Sequence, residues 1–249
     1  MIYITGDVHG YFGRVRRFSS HIQTSKDDVL IILGDASINY FEDKADLKLK
    51  HRLKQTPLTL FCIHGNHEKR PETIDSYREV EFMGARAYQE EAFPNIYFAK
   101  DGEVYTINGC KTLVIGGAYS VDKKWRLDAS RKWWPDEQPT DEIKQRVEAA
   151  LAQHAGTIDV VLSHTSPMNA RPTEAFLPVI DQSEVDSSTE LWLQSIADTL
   201  NFKRWYFGHF HINKRFDPYR CLFKDVEVFM EDTIVYATED DENVLKQMK

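Results

Sequence analysis

Residues 1–10 read MIYITGDVHG: an apolar, β-branched run from Ile2 to Ile4 breaks almost at once into Gly6, Asp7, Val8, His9 and Gly10. A short run of this kind bounded by turn residues reads as a buried strand that ends in a polar loop. The same pattern recurs as VLIILGD at 29–35, LTLFCIHGNHE at 58–68, VVLSH at 160–164 and RWYFGHFH at 204–211. Five strand ends therefore carry Asp, Asn and His beside Gly or Ser.

Helical candidates fill the spaces between them, at roughly Phe12 to Ile22, Phe41 to Leu53, Thr140 to His154 and Ser188 to Leu200. Ser187 with Glu190 three residues on has the form of a capping box. Strand and helix in alternation predict a layered α/β protein. The middle differs, since Ile96 to Ala99, Glu103 to Ile107 and Lys111 to Ile115 follow one another without helices, and Asn108-Gly109 is a two-residue hairpin signal. A second, antiparallel sheet is expected there. Residues 118–139, with Trp125, Trp133, Trp134 and Pro135, lack periodicity and are expected to form an ordered lip over a site. No internal repeat or Gly/Ser linker interrupts the chain, so 1–238 is read as a single domain and 239–249 as a fraying tail.

The 31 Lys and Arg against 39 Asp and Glu leave a net charge of −8, which argues against extended binding to a nucleic acid backbone but not against a small phosphorylated substrate. Cys62, Cys110 and Cys221 lie far apart and form neither a disulfide framework nor a thiolate metal site. A reducing cytoplasm is the expected compartment. The segment from Met1 to Asp7 has no basic leader, and no apolar stretch is long enough to span a bilayer, so neither export nor membrane contact is expected. The oligomeric state is not legible.

In open α/β sheets the carboxyl ends of strands point into one crevice, where residues distant in sequence converge. A mixture of carboxylate oxygens and imidazole nitrogens suits Mn, Fe, Zn, Ni or Co better than Mg or Ca. Residues two apart in extended chain share a face, so Asp7 with His9, and His209 with His211, can address neighbouring ions. A carboxylate with two oxygens is the natural bridge between two metals.

These five blocks, spanning Asp7 to His211, resemble the calcineurin-like metallophosphoesterases, in particular bacterial and phage members. The resemblance implies a four-layer α/β/β/α sandwich with two mixed β-sheets. It implies two divalent metal ions, Mn foremost, with Asp7, His9, Asp35 and His211 on the first and Asp35, Asn66, His164 and His209 on the second. Asp35 would be the bridge and a catalytic residue. His67 would be the catalytic histidine, touching the phosphate together with Asn66 and, as an imidazolium, assisting the leaving group.

The implied reaction is hydrolysis of a phosphomonoester or phosphodiester by water activated between the ions, without a covalent enzyme intermediate. Two divalent ions against two carboxylates and a hydroxide leave a cationic inner shell that would draw in a phosphorylated small molecule, nucleotide or phosphoprotein. A nuclease, a cyclic nucleotide phosphodiesterase and a non-catalytic metal-binding scaffold are the rival readings.

The phosphoprotein phosphatase branch of the family places an Asp three residues after the bridging carboxylate, followed by an Arg. Here those places hold Ile38 and Asn39, although Glu68 after Asn66-His67 matches that branch. His67 must be oriented by something else, with Asn39 or Glu68 the expected partners. Arg126, Arg131 and Arg171 lie in loops expected to border the crevice, and Arg131 and Arg171 are taken as candidate phosphate contacts. His21, His51, His64 and His154 are read as surface or structural residues, the Trp133–Trp134 pair as packing and Cys62 as core.

Overall fold

The computed structural model describes residues 1–154 and 156–237; the fraying expected of 239–249 falls outside them. Within these residues the chain builds two mixed sheets. The first contains β1 (Ile2–Thr5), β2 (Val29–Ile32), β3 (Thr59–Cys62), β4 (Arg78–Phe82), β5 (Ala85–Gln89), β6 (Ile96–Ala99), β13 (Val226–Val228) and β14 (Ile234–Tyr236). Its order is β14-β13-β1-β2-β3-β6-β5-β4, with β1, β2, β3 and β6 parallel and the outer strands antiparallel. The second contains β7 (Val104–Ile107), β8 (Cys110–Ile115), β9 (Val160–Ser163), β10 (Arg204–Phe207), β11 (Lys214–Phe216) and β12 (Tyr219–Cys221) in the order β11-β12-β10-β9-β8-β7. The Asn108-Gly109 turn joins β7 to β8 antiparallel, as expected, but β8, β9 and β10 run parallel, so this sheet is mixed rather than purely antiparallel.

The helices are α1 (Gly13–Ile22), α2 (Lys44–Lys54), α3 (Lys123–Asp128), α4 (Asp141–Gln153) and α5 (Ser188–Ala197). Alternation along the strands decides where each side chain goes, because successive residues point to opposite faces. Leu30 and Ile32 of β2 face Val15 and Phe18 of α1 and Leu53 of α2. Val29 and Ile31 face the other way, against Val114, Val160, Leu162 and Tyr206 of the second sheet. Val161, Trp205 and Phe207 on that sheet's far side meet Ile143 and Val147 of α4 and Leu193 and Ile196 of α5. Three apolar layers thus separate helix, sheet, sheet and helix. Strands buried on both faces read as continuous apolar runs, which is why their sequences do not alternate.

Two local expectations change. Ser187 makes no capping bond to α5. Asp186 Oδ1 accepts from Ser188 N at 2.9 Å instead, and Glu190 turns away to accept from Thr165 Oγ1 at 2.7 Å. The expected start of the second helix at Phe41 moves to Lys44, because Asp43 caps it through Ala45 N and Asp46 accepts the N–H groups of Phe41 and Glu42.

The sheets meet so closely at their carboxyl ends that only glycine fits at the crossing points. A Cβ on Gly34, after β2, would lie 2.0 Å from His164 Nδ1, after β9, and its φ of +94° is a left-handed one. A Cβ on Gly208, after β10, would lie 2.3 Å from Asp7 Oδ1. Gly34→Ala should therefore cost about 1–3 kcal/mol through overpacking, and lower the melting temperature by about 3–10 °C. An unchanged thermal transition by circular dichroism would contradict this packing.

Candidate metal centre

Asp7 follows β1 with its side chain wholly buried. Its Oδ1 accepts the main-chain N–H of His209 at 2.9 Å. Its Oδ2 makes no hydrogen bond, although His211 Nε2 stands 3.2 Å away and His9 Nε2 3.6 Å away. The two imidazole nitrogens are themselves 2.9 Å apart. Three atoms that serve as metal ligands through their lone pairs therefore converge on one point.

A second convergence involves the other sheet. His164 Nδ1 lies 2.7 Å from Leu33 O, an atom that only accepts, so this nitrogen carries a proton and Nε2, when unprotonated, presents a lone pair. That lone pair faces Asn66 Oδ1 at 2.8 Å and Asp35 Oδ1 at 3.6 Å. Asn66 Nδ2 donates to Ser120 Oγ at 2.9 Å, with its Oδ1 turned to the ring. With that nitrogen unprotonated, acceptor faces acceptor unless a cation lies between them, and carboxylate, amide and imidazole donors converging in this way fit a metal on chemical grounds.

Asp35 links the two convergences. Its Oδ2 is 3.8 Å from His9 Nδ1, while Oδ1 faces His164 and accepts the main-chain N–H of His67 at 2.7 Å. Among the described residues, ligand atoms lie within 4.8 Å of one another in Asp7, His9 and His211, in His9, Asp35 and His67, and in Asp7, Asp35 and His164. Shared members make these one cluster. The His209 ring stands edge-on to His164 with centroids 5.0 Å apart, outside those three sets. His9, Asp35, His209 and His211 all have φ between 47° and 66°, left-handed values that cost non-glycine residues energy and that concentrate at functional sites.

The electrostatics follow from burial. Burial alone would raise the Asp7 carboxyl, but the close approach of His211 and the charges of His164 and His9 hold it well below the usual carboxylate range. Burial pushes the His209 imidazole down to about 3, with His164 adding to the effect. Burial would lower His211, but Asp7 and Asp35 together move it up. Burial lowers His67; Asp35 opposes this and Arg126 reinforces it. Arg126, beside His67, thus disfavours the imidazolium form expected from the sequence.

That neighbour corrects a sequence expectation. Asn39 does not hold His67, because its Oδ1 accepts from Tyr77 OH at 3.1 Å. Glu68 does not either, since its carboxylate accepts the N–H groups of Ala36, Ile38 and Gly65 at 3.2 to 3.4 Å and so fastens two strand-end loops together. Arg126 Nη2 instead meets the His67 ring, 3.0 Å from Nδ1 and 3.3 Å from Nε2. Arg171 donates to Met168 O and Ser187 Oγ, and Arg131 lies over the Trp125 ring at 6.0 Å. Neither lines the cavity of about 710 Å³ that opens from Asp7, His9 and His67 toward Tyr40, Phe41 and Leu49. Ser120 is the site residue that sequence reasoning did not name, while Glu68 and Arg126 were named but not in the roles they take here. Only the i,i+4 spacing of Asp122 and Arg126 hinted at a built guanidinium.

The calcineurin-like phosphoesterase profile matches residues 1–213. The chain belongs to the calcineurin-like phosphoesterase family. Phosphoester hydrolysis is therefore its class of activity, and candidate metal-binding residues are present. Among solved structures, TT1561 of Thermus thermophilus is similar at 12% identity and a TM-score of 0.49, over 89% of this chain and 87% of that one. The phosphopantetheinyl hydrolase PptH of Mycobacterium tuberculosis is similar at 17% identity and a TM-score of 0.42, over 89% and 87%. No curated protein matches the chain. Among the described residues, no helix is long and apolar enough to cross a membrane.

Because candidate ligand atoms converge in this cluster, binding a divalent cation should stabilise the fold. Saturating Mn²⁺ should raise the melting temperature of EDTA-treated protein by about 5 °C or more. Coincident melting curves with and without the ion would contradict the site.

Proposed function

We propose that this family member hydrolyses a phosphomonoester or phosphodiester at a centre of two divalent ions, Mn²⁺ foremost. Asp7, His9, Asp35 and His211 would hold one ion, and Asp35, Asn66, His164 and His209 the other. The observation that carries this reading is the split of the Asp35 carboxylate, one oxygen toward His9 and the other toward His164. A bridging ligand needs that disposition. When bound, such ions lower the pKa of coordinated water from about 15.7 to near 7 and hold phosphoryl oxygens in place.

The chain's own residues account for the rest. Main-chain N–H groups of His209 and His67 aim Asp7 and Asp35. Ser120 holds the amide of Asn66 with its oxygen inward. His67, lining the cavity beside Asp7 and His9, donates its ring N–H to the phosphoryl or leaving oxygen. Water adds to phosphorus and the ester P–O bond breaks. A proton from that water ends on the departing oxygen, so ester and water become phosphate and an alcohol. The aromatic and aliphatic wall formed by Tyr11, Tyr40, Phe41 and Leu49, with Arg17 and Arg52 at its rim, suits a leaving group larger than methanol. A cytoplasmic phosphorylated metabolite or nucleotide fits that wall, and we place the whole site within a single unit spanning 1–238.

The test compares p-nitrophenyl phosphate with bis-p-nitrophenyl phosphate after chelation and Mn²⁺ repletion. Hydrolysis restored by the metal, and lost by more than about 10²-fold in Asp35→Asn, is the expected result. Full activity after chelation, or in Asp35→Asn, would refute the metal mechanism, and inertness toward both esters under every metal would favour a scaffold.

A further inference from the structure

His67 has a main-chain anchor, the 2.7 Å bond from its N–H to Asp35 Oδ1, but that bond does not fix the imidazole. Among the described residues, Arg126 supplies the hydrogen-bonding group for that ring, with Nη2 3.0 Å from Nδ1. Resting on the phosphoesterase reading above, we propose that Arg126 is the positioning residue for His67, setting the ring's orientation and tautomer from a segment outside the five strand-end loops.

The guanidinium is itself held rigidly. Its Nε donates to Asp122 Oδ1 at 2.7 Å, and its Nη1 to Tyr40 OH at 3.0 Å and Lys132 O at 3.2 Å. The side chain is 9% exposed. The segment that carries it is clamped in turn. Trp134 packs edge-on to Tyr40 with centroids 5.6 Å apart, and Lys132 pairs with Glu42 at 3.0 Å. Ser120, in the same stretch, accepts from Asn66 and donates its N–H to Glu137 Oε1 at 3.2 Å. Residues 118–139 therefore hold two consecutive site residues, Asn66 through Ser120 and His67 through Arg126.

An arginine only donates, so the ring nitrogen that accepts from it, Nδ1 as the nearer at 3.0 Å against 3.3 Å for Nε2, carries a lone pair and the ring's proton sits on the other nitrogen. A carboxylate in that position would select the opposite tautomer. Arg126 does not line the cavity, and its Nε and Nη1 are committed elsewhere. It acts through His67 rather than on the phosphate.

The test is a double-mutant cycle on p-nitrophenyl phosphate with the Mn²⁺-loaded protein. Arg126→Ala should lower kcat by about 10²-fold, with KM and metal content little changed, and added guanidinium chloride should restore part of the loss. Adding Arg126→Ala to His67→Ala should cost less than about threefold more, because the second change removes a support for a ring already gone. Losses that multiply in the double variant would overturn the proposal and make Arg126 a direct phosphate contact. Asp122→Ala, which removes the acceptor from Nε at a partly exposed position, should shift kcat in the same direction and serves if Arg126→Ala does not fold. A readout that needs no turnover is the ring nitrogen chemical shifts of His67 in metal-free protein, assigned with His67→Gln. These should move in Arg126→Ala while those of the remote His21 and His51 stay. Unmoved shifts would refute the contact. Failure of the wild type to hydrolyse any ester would instead refute the phosphoesterase reading and leave that measurement standing.

Discussion

Two carboxylates taken out of water at the junction of two sheets set the terms for this molecule. Asp7 and Asp35 have side-chain exposures of 0% and 2%, and an ionised carboxylate so placed is costly without partners. Each receives a main-chain N–H, from His209 and His67 respectively. The first of these bonds crosses from one sheet to the other. The groups that stabilise the charges are thus the same ones that bring the strand ends together. Glycine at 34 and 208 follows from this closeness, since any side chain there would occupy the space of His164 or Asp7. Fold and site share one set of constraints, and left-handed backbone at four of the candidate ligands is part of their cost.

What could be read in the sequence was what burial writes plainly. Strands covered on both faces, such as β2 and β9, are unbroken apolar runs, and the polar residues that follow them stand out by contrast. The β7–β8 hairpin was legible from Asn108-Gly109, whose residues adopt the positive φ that such a turn requires. The β4–β5 hairpin was not, because Arg78 to Phe82 has mostly exposed, charged positions and little apolar signal. Strands β11 to β14 were missed for another reason. They are three residues long, and they owe their pairing to neighbours already in place, such as β1 for β13 and β10 for β12. The capping box at Ser187 failed because tertiary partners competed for both of its side chains: Arg171 donates to the Ser187 hydroxyl and Thr165 to Glu190.

The candidate ligands were readable because each sits beside its own strand, but their supports were not. Glu68 ties loops together through three main-chain N–H groups, a role that depends on how those loops fold and leaves no spacing rule. Arg126 reaches His67 from 59 positions away, through a segment whose aromatic residues give no periodicity until Trp134 finds Tyr40. Burial and the charge of Asp35 push the Glu68 carboxyl well above its ordinary range, against the three main-chain N–H groups that draw it down. The protein as a whole is acidic, yet the surroundings of its cluster combine imidazoles, Arg14, Arg17 and Lys224 along one cavity. A phosphate group would meet a local field opposite in sign to the protein's net charge.

The central claim is that side chains from both sheets clasp two cations around the carboxylate of Asp35. Crystals grown with Mn²⁺ and measured at the manganese absorption edge test it most directly. The account predicts two anomalous peaks, one among Asp7, His9 and His211 and one among Asp35, Asn66 and His164, with a carboxylate oxygen of Asp35 adjoining each. A single peak, no peak, or peaks that Asp35 does not touch would contradict it.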